Sequence, residues 1–194
     1  AIDSQSTEVL SRYGYYSTIG QHHANTQGKD KMNTEPSSNL KPLLEKVRKY
    51  INEAVIPLDQ EYVDEIDNQG RWQHSPRQKE ILDQLKQDAR DQGLWNFFLT
   101  EGEYSSGLST VDYAFIAEET GHSALAAEAF NCSAPDTGNM EVLAKYGTEA
   151  QKDRWLKPLL DGEIRSAYAM TEPGVASSDA TNISMSAVLN DGQW

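Results

Sequence analysis

The sequence predicts a mainly α chain. A helical domain over residues 39–163 is followed by the start of a β-domain over 164–194, and a disordered tail over 1–38 precedes both. Three observations lead there. Apolar residues recur at i, i+3, i+4 and i+7 from Leu40 onward, which is one face of a helix. Hydroxyl-x-x-Gln boxes at Ser75–Gln78 and Thr148–Gln151 mark helix starts. Strand-like alternation begins only after Gly162. Helices first and strands second suggest segregated layers rather than alternating βαβ units.

The elements follow in order. Residues 1–38 are rich in Ser, Thr, Gln, Asn and Gly without periodicity, and read as a tail. His22-His23 lacks further ligands at metal-binding spacing, so it reads as part of that tail. The acidic residues Asp3, Glu8 and Asp30 argue against a mitochondrial presequence. Leu40, Leu43, Leu44, Val47, Ile51, Ala54 and Val55 form the stripe of a long helix, which Pro57 should kink or restart. The run continues through Tyr62, Val63 and Ile66, and Gln69-Gly70 ends it.

Ser75-Pro76 opens the next helix, with Ile81, Leu82, Leu85 and Ala89 buried and Gly93 just past its end. Leu94 to Leu99 reads as a buried crossing segment, and Glu101 to Gly107 as a loop. A third helix opens at Ser109 with Asp112 at N3 and stops at Gly121. Ser123 to Phe130 is Ala-rich and reads as helical. Pro135 to Tyr146 carries Met140, Leu143 and Tyr146 on one side. Thr148 caps a helix with Trp155, Leu156, Leu159 and Leu160 on its apolar face, its last turn distorted by Pro158. Ile164–Thr171 and Asn182–Leu189 read as strands, and Asn190-Asp191-Gly192-Gln193 as a turn into another. Ala1 in place of a start methionine, and that turn just before Trp194, read as signs of an N-terminal fragment.

Composition narrows the function. The net charge is −13, whereas a nucleic-acid binder carries a basic stripe. No apolar run approaches the ~18 residues of a membrane span. Cys132 is the single cysteine, so no internal disulfide forms and an intracellular, reducing compartment is expected. The sequence shows no Gly-x-Ser-x-Gly elbow and no Gly-x-Gly-x-x-Gly dinucleotide fingerprint. Asn131-Cys132-Ser133 and Asn182-Ile183-Ser184 match glycosylation sequons, which an intracellular setting leaves unused.

The chain is organised around Tyr168-Ala169-Met170-Thr171-Glu172-Pro173-Gly174-Val175-Ala176-Ser177-Ser178-Asp179. A strand-like run breaks at Pro173-Gly174 into a small-residue loop of hydroxyls and backbone N–H groups. Such a loop lets a ligand approach the main chain. An ordinary turn with a Ser/Asp cap has the same composition.

This stretch resembles the signature of the acyl-CoA dehydrogenase family. Gly93-Leu94-Trp95, Gly107-Leu108-Ser109, Glu118-Glu119-Thr120-Gly121, Tyr146 to Lys152 and Leu159 to Glu163 stand in that family's order, over roughly positions 40 to 194. Thr171 to Asp179 and Ala134-Pro135-Asp136-Thr137-Gly138-Asn139-Met140-Glu141 look most like its long-chain, kinase-fusion type branch. The loop is one residue longer than the commoner pattern, and Ser177 stands where a glycine usually precedes the Ser-Asp pair.

The resemblance implies a flavin-dependent α,β-dehydrogenation of an acyl-CoA thioester in the full-length protein, with this chain inactive alone. It implies that Tyr168, Ala169, Met170 and Thr171 meet the FAD ring through backbone and hydroxyl groups. Ala176, Ser177 and Ser178 would lie near the cofactor phosphates, and Ser178 would also approach the substrate thioester or pantetheine arm. Glu172 belongs to the motif but is not assigned as a base. That base, and a second flavin loop, would lie beyond Trp194. Electrons would pass to an electron-transfer flavoprotein or to oxygen, from a homo-oligomer in a mitochondrion or peroxisome. A same-fold oxidase and a non-catalytic helical interaction module are the alternatives.

Overall fold

Among the described residues, Ser75, Ser109 and Thr148 each open a helix with a hydroxyl that closes the first turn. The computed structural model describes residues 35–69 and 72–193. Of the tail expected over 1–38, residues 1–34 lie outside the described residues. Ser37 already belongs to the helical unit: its side-chain oxygen accepts the Leu40 N–H at 3.1 Å, ahead of α1 (Lys41–Tyr50). A π-turn (Ile51–Val55) carries the chain into α2 (Ile56–Gln69). Gly70, expected to end that helix, falls outside the described residues.

Ser75 caps α3 (Pro76–Asp91) with the full reciprocal box. Its Oγ accepts the Gln78 N–H at 3.0 Å, and Gln78 Oε1 accepts the Ser75 N–H at 2.9 Å. Gln78 is buried because its amide also donates to the Tyr62 carbonyl at 3.0 Å, which ties α3 to α2. The C-terminus of α3 closes with Gly93 at a φ of 70°. The Gly93 N–H reaches the Arg90 carbonyl at 2.8 Å, and the Leu94 N–H reaches Ala89 at 2.8 Å.

Ser109 caps α4 (Thr110–Thr120) through the Asp112 N–H. The helix expected over 123–130 shortens to α5 (Ala126–Ala129). Ser123 Oγ takes the N–H groups of Leu125 and Ala126 and donates to Asp59 on α2 at 2.8 Å, so its first residues serve as a cap. Next come α6 (Asp136–Tyr146), α7 (Glu149–Gln151), a second π-turn (Lys152–Leu156) and α8 (Lys157–Leu160). Thr148 caps α7 with the expected reciprocal box.

Both prolines act one turn earlier than expected. Pro57 follows a turn in which the Ile56 N–H bonds the Ile51 carbonyl, and Pro158 follows one in which Lys157 bonds Lys152. A proline ring crowds the carbonyl four residues back. The wider turn opens that space without breaking the helix.

The main core joins α1 to α5. Leu44, Val47, Ile51, Val55, Ile81, Leu85, Ile116 and Phe130 are buried in it. The Tyr50 hydroxyl donates to the Leu85 carbonyl at 2.7 Å inside it. A second cluster of Phe98, Leu99, Met140, Leu156 and Leu159 joins the crossing segment to α6 and α8. Asn96 and Asn131, both with φ above 50°, fasten that segment. The Asn131 amide donates to Asn96 at 2.7 Å and to the Leu159 carbonyl at 3.0 Å.

Tyr146 does not share the buried side of Met140. It is 73% exposed, and its ring carries the Lys145 ammonium at 5.6 Å. Residues 164–171 and 182–189 form no ladder among the described residues, so the strands expected there have alternation but no partner. The pairing present is one antiparallel bridge, Asn190 with Gln193, around an Asp191-Gly192 turn with positive φ at both residues. The described residues are thus mainly helical, as the fold class anticipated, while the β-domain expected from residue 164 shows no strand among them.

Candidate functional site

The organising stretch leaves the helical domain from an anchor of charged side chains. Asp136, at the first position of α6, is buried. Its carboxylate takes the Arg165 Nε at 2.5 Å, the Ser166 N–H at 2.7 Å and the Ser166 hydroxyl at 2.5 Å. A second Arg165 nitrogen reaches Glu128 at 2.6 Å, and Glu128 also pairs with Lys86 of α3 at 2.5 Å. Asn139, one turn along α6, donates to the Ser166 hydroxyl at 2.8 Å. Burial pushes the Asp136 carboxyl up, but the Ser166 hydroxyl and N–H and the Arg165 guanidinium outweigh it, and the net displacement is downward.

From this anchor, Tyr168, Ala169, Met170 and Thr171 run exposed, with Tyr168 68% open to solvent. Their backbone belongs to no helix or ladder. The loop then folds on itself. Ser177 is buried, and its hydroxyl accepts the Glu172 N–H at 2.7 Å. Ala176 and Ser178 face solvent.

The Glu172 carboxylate reaches forward to the next segment. It accepts the Ser184 hydroxyl at 2.7 Å, the Ser184 N–H at 3.1 Å and the Met185 N–H at 2.9 Å. The Ser184 hydroxyl, then the two N–H groups, hold its carboxyl below the usual range. Glu172 is therefore an ionised brace between the loop and the segment that follows it. Beside Tyr168 opens a shallow groove lined by Pro135, Thr137, Gly138, Asn139 and Val142. A neighbouring groove is lined by Val142, Leu143, Trp155, Leu159 and Ile164.

The stretch thus brings Tyr168 to Ser178 onto one exposed strip, with Thr171 and Ser178 offering hydroxyls and Ser177 turned inward. Asp136, Arg165, Ser166 and Asn139 were missed as a set. They come from distant positions, and no local period pairs residues 29 apart. Cys132 adds no nucleophile: its thiol lies among Phe97, Phe98 and Tyr113, and burial pushes it up to about 12. No helix among the described residues is long and apolar enough to cross a membrane.

Residues 37–163 match the family described as acyl-CoA dehydrogenase, N-terminal domain. The chain belongs to the acyl-CoA dehydrogenase family. It is 48% identical over 161 residues to acyl-CoA dehydrogenase family member 10 of Mus musculus, covering 80% of this chain and 15% of that protein. It is 47% identical over 163 residues to acyl-CoA dehydrogenase family member 11 of Homo sapiens, covering 78% of this chain and 20% of that protein. A solved chain described as an acyl-CoA dehydrogenase from Mycobacterium abscessus superposes with a TM-score of 0.66 at 45% identity, over 76% of this chain and 37% of that one. The chain therefore spans a fifth or less of those two curated relatives. The matched domain ends at residue 163, so the anchor joins it to the strip that follows.

Proposed function

We propose that the whole protein removes hydrogen from the α and β carbons of an acyl-CoA thioester with FAD as its cofactor. One observation carries this reading. Tyr168 to Thr171 leave a fixed anchor with their backbone exposed, and lead into a loop whose shape Ser177 holds from within. That arrangement fits FAD on two counts. Free N–H and carbonyl groups suit the flavin ring edge, and a small-residue loop with an outward hydroxyl suits a diphosphate. Ser177 serves the loop through its side chain, so the phosphate donors are Ser178 and the loop backbone.

Bound FAD supplies the two-electron acceptor for the β-hydride. The chain's own residues position it: Tyr168, Ala169 and Met170 through backbone groups, Thr171 through its hydroxyl as well. Ala176 keeps the loop surface small enough for close approach, and Ser178 orients phosphate and the thioester arm. The α-proton passes to a different carboxylate, since those of Glu172 and Asp136 are fully engaged by hydrogen-bond donors that make them weaker bases. The groove beside Tyr168 and its neighbour offer apolar surface for the acyl chain. Electrons leave to an electron-transfer flavoprotein or to oxygen, and the working form is a homo-oligomer.

The test is acyl-CoA-dependent bleaching of the flavin band in the purified full-length protein, followed by reoxidation with electron-transfer flavoprotein or with air. Bleaching and slow reaction with air support the dehydrogenase, and rapid oxygen consumption identifies the oxidase alternative. A full-length protein without FAD, and without acyl-CoA-driven electron transfer, refutes the reading.

A further inference from the structure

We propose that Asp136 is a positioning residue that fixes the flavin-facing strip through Arg165 and Ser166. The inference rests on the flavin reading of that strip and goes beyond it, because Asp136 itself faces neither ring nor substrate in that reading.

The geometry is specific. One carboxylate oxygen of Asp136 takes both the backbone N–H and the hydroxyl of Ser166, at 2.7 and 2.5 Å. The other takes Arg165 Nε at 2.5 Å. Two consecutive residues are thereby held by one side chain, which fixes both the position and the direction of the backbone. Tyr168 follows two residues later. A shift of the anchor therefore moves every backbone group offered to the ring edge.

The surroundings make the anchor stiff. The Asp136 side chain is 4% exposed, so water does not compete for its oxygens. Arg165 is gripped on its second nitrogen by Glu128, which Lys86 holds in turn. Asn139 donates to the Ser166 hydroxyl from the next turn of α6. Helices α3, α5 and α6 thus converge on the two residues that launch the strip. A plain surface ion pair would need neither the backbone contact nor the burial. A site held by such a supporting shell keeps its geometry to within fractions of an ångström, which cofactor binding requires.

The test uses the full-length protein with four variants: Asp136→Asn, Ser166→Ala, Arg165→Lys and Ser75→Ala. Amide hydrogen exchange over residues 164–171 is read without added FAD, and FAD affinity is read by fluorescence titration. Asp136→Asn should speed exchange there and weaken FAD by about ten-fold, with Ser166→Ala moving both in the same direction by less. Arg165→Lys, which keeps the charge, should retain part of the affinity. Ser75→Ala removes a helix cap on α3, so it should lower Tm while leaving FAD affinity and strip exchange as in the wild type.

If Asp136→Asn does not fold, Ser166→Ala decides alone. Unchanged exchange and affinity in the folded variants overturn the proposal, as does an equal affinity loss in Ser75→Ala, which would make the effect one of general stability. A wild type that takes up no FAD sinks the flavin reading separately, and the exchange comparison then supports or sinks the anchor by itself.

Discussion

The side-chain oxygen of Ser177 accepts the backbone N–H of Glu172 at 2.7 Å, and this bond closes the loop across Pro173 and Gly174. Ser177 is 6% exposed, so the loop keeps its shape without solvent. Ser177→Ala leaves the Glu172 N–H without that partner, at a cost of about 0.5–1.5 kcal/mol. Faster amide exchange at residue 172 is expected, with helical content unchanged. Protection equal to wild type would show that the loop is held by other means.

Thr171 and Ser178 are both exposed. Thr171→Val and Ser178→Ala in the full-length protein should each weaken FAD retention by about 0.5–1.5 kcal/mol, more where a phosphate loses its donor. Helical content by circular dichroism should not change. Full flavin occupancy in both after extensive dialysis would move the cofactor contact elsewhere.

Leu156 lies wholly within the second core cluster. Leu156→Ala should destabilise the helical domain by about 2–5 kcal/mol, read from a urea midpoint at constant m. A midpoint indistinguishable from wild type would mean that the face packs against nothing.

The pH dependence of Asp136 has a definite sign. Its carboxyl sits below the ordinary value in the folded chain, so the folded state binds the proton less readily than the unfolded one. Its contribution is therefore complete above pH about 4 and is lost as pH falls through the lowered folded value. The stability gap between wild type and Asp136→Asn should narrow as the pH is taken from 7 toward 3. A gap constant across that range would show that ionisation of Asp136 does not matter to the anchor.

Local chemistry made much of the helical domain readable in the sequence. The Ser75 and Thr148 boxes, the Ser109 cap and the Gly93 terminus depend on residues within one turn of each other, and each formed as expected. The stripe Ile81, Leu82, Leu85 and Ala89 is buried because its period is that of the helix. Features set by distant partners were not readable. Leu94 to Leu99 was readable as a buried crossing segment, and Leu94, Phe97, Phe98 and Leu99 are buried, but its fastening by Asn96 and Asn131 was not readable. Tyr146 fits the stripe of α6 but is 73% exposed. The strip itself was legible as a motif, whereas the inward turn of the Ser177 hydroxyl and the Asp136 anchor depend on three-dimensional neighbours.

The anchor also has a direction in time. Lys86, Glu128, Asp136 and Asn139 all precede Arg165 and Ser166 in the chain, so a ribosome releases the receptor before the residues that dock into it. Domains fold as units from the N-terminal end during synthesis. The helical domain can therefore be complete when Arg165 emerges, and the strip is seated as it appears. Glu172 reverses the order, since its partners Ser184 and Met185 are made afterwards. The nascent strip is thus held first at its root and only later at its far end.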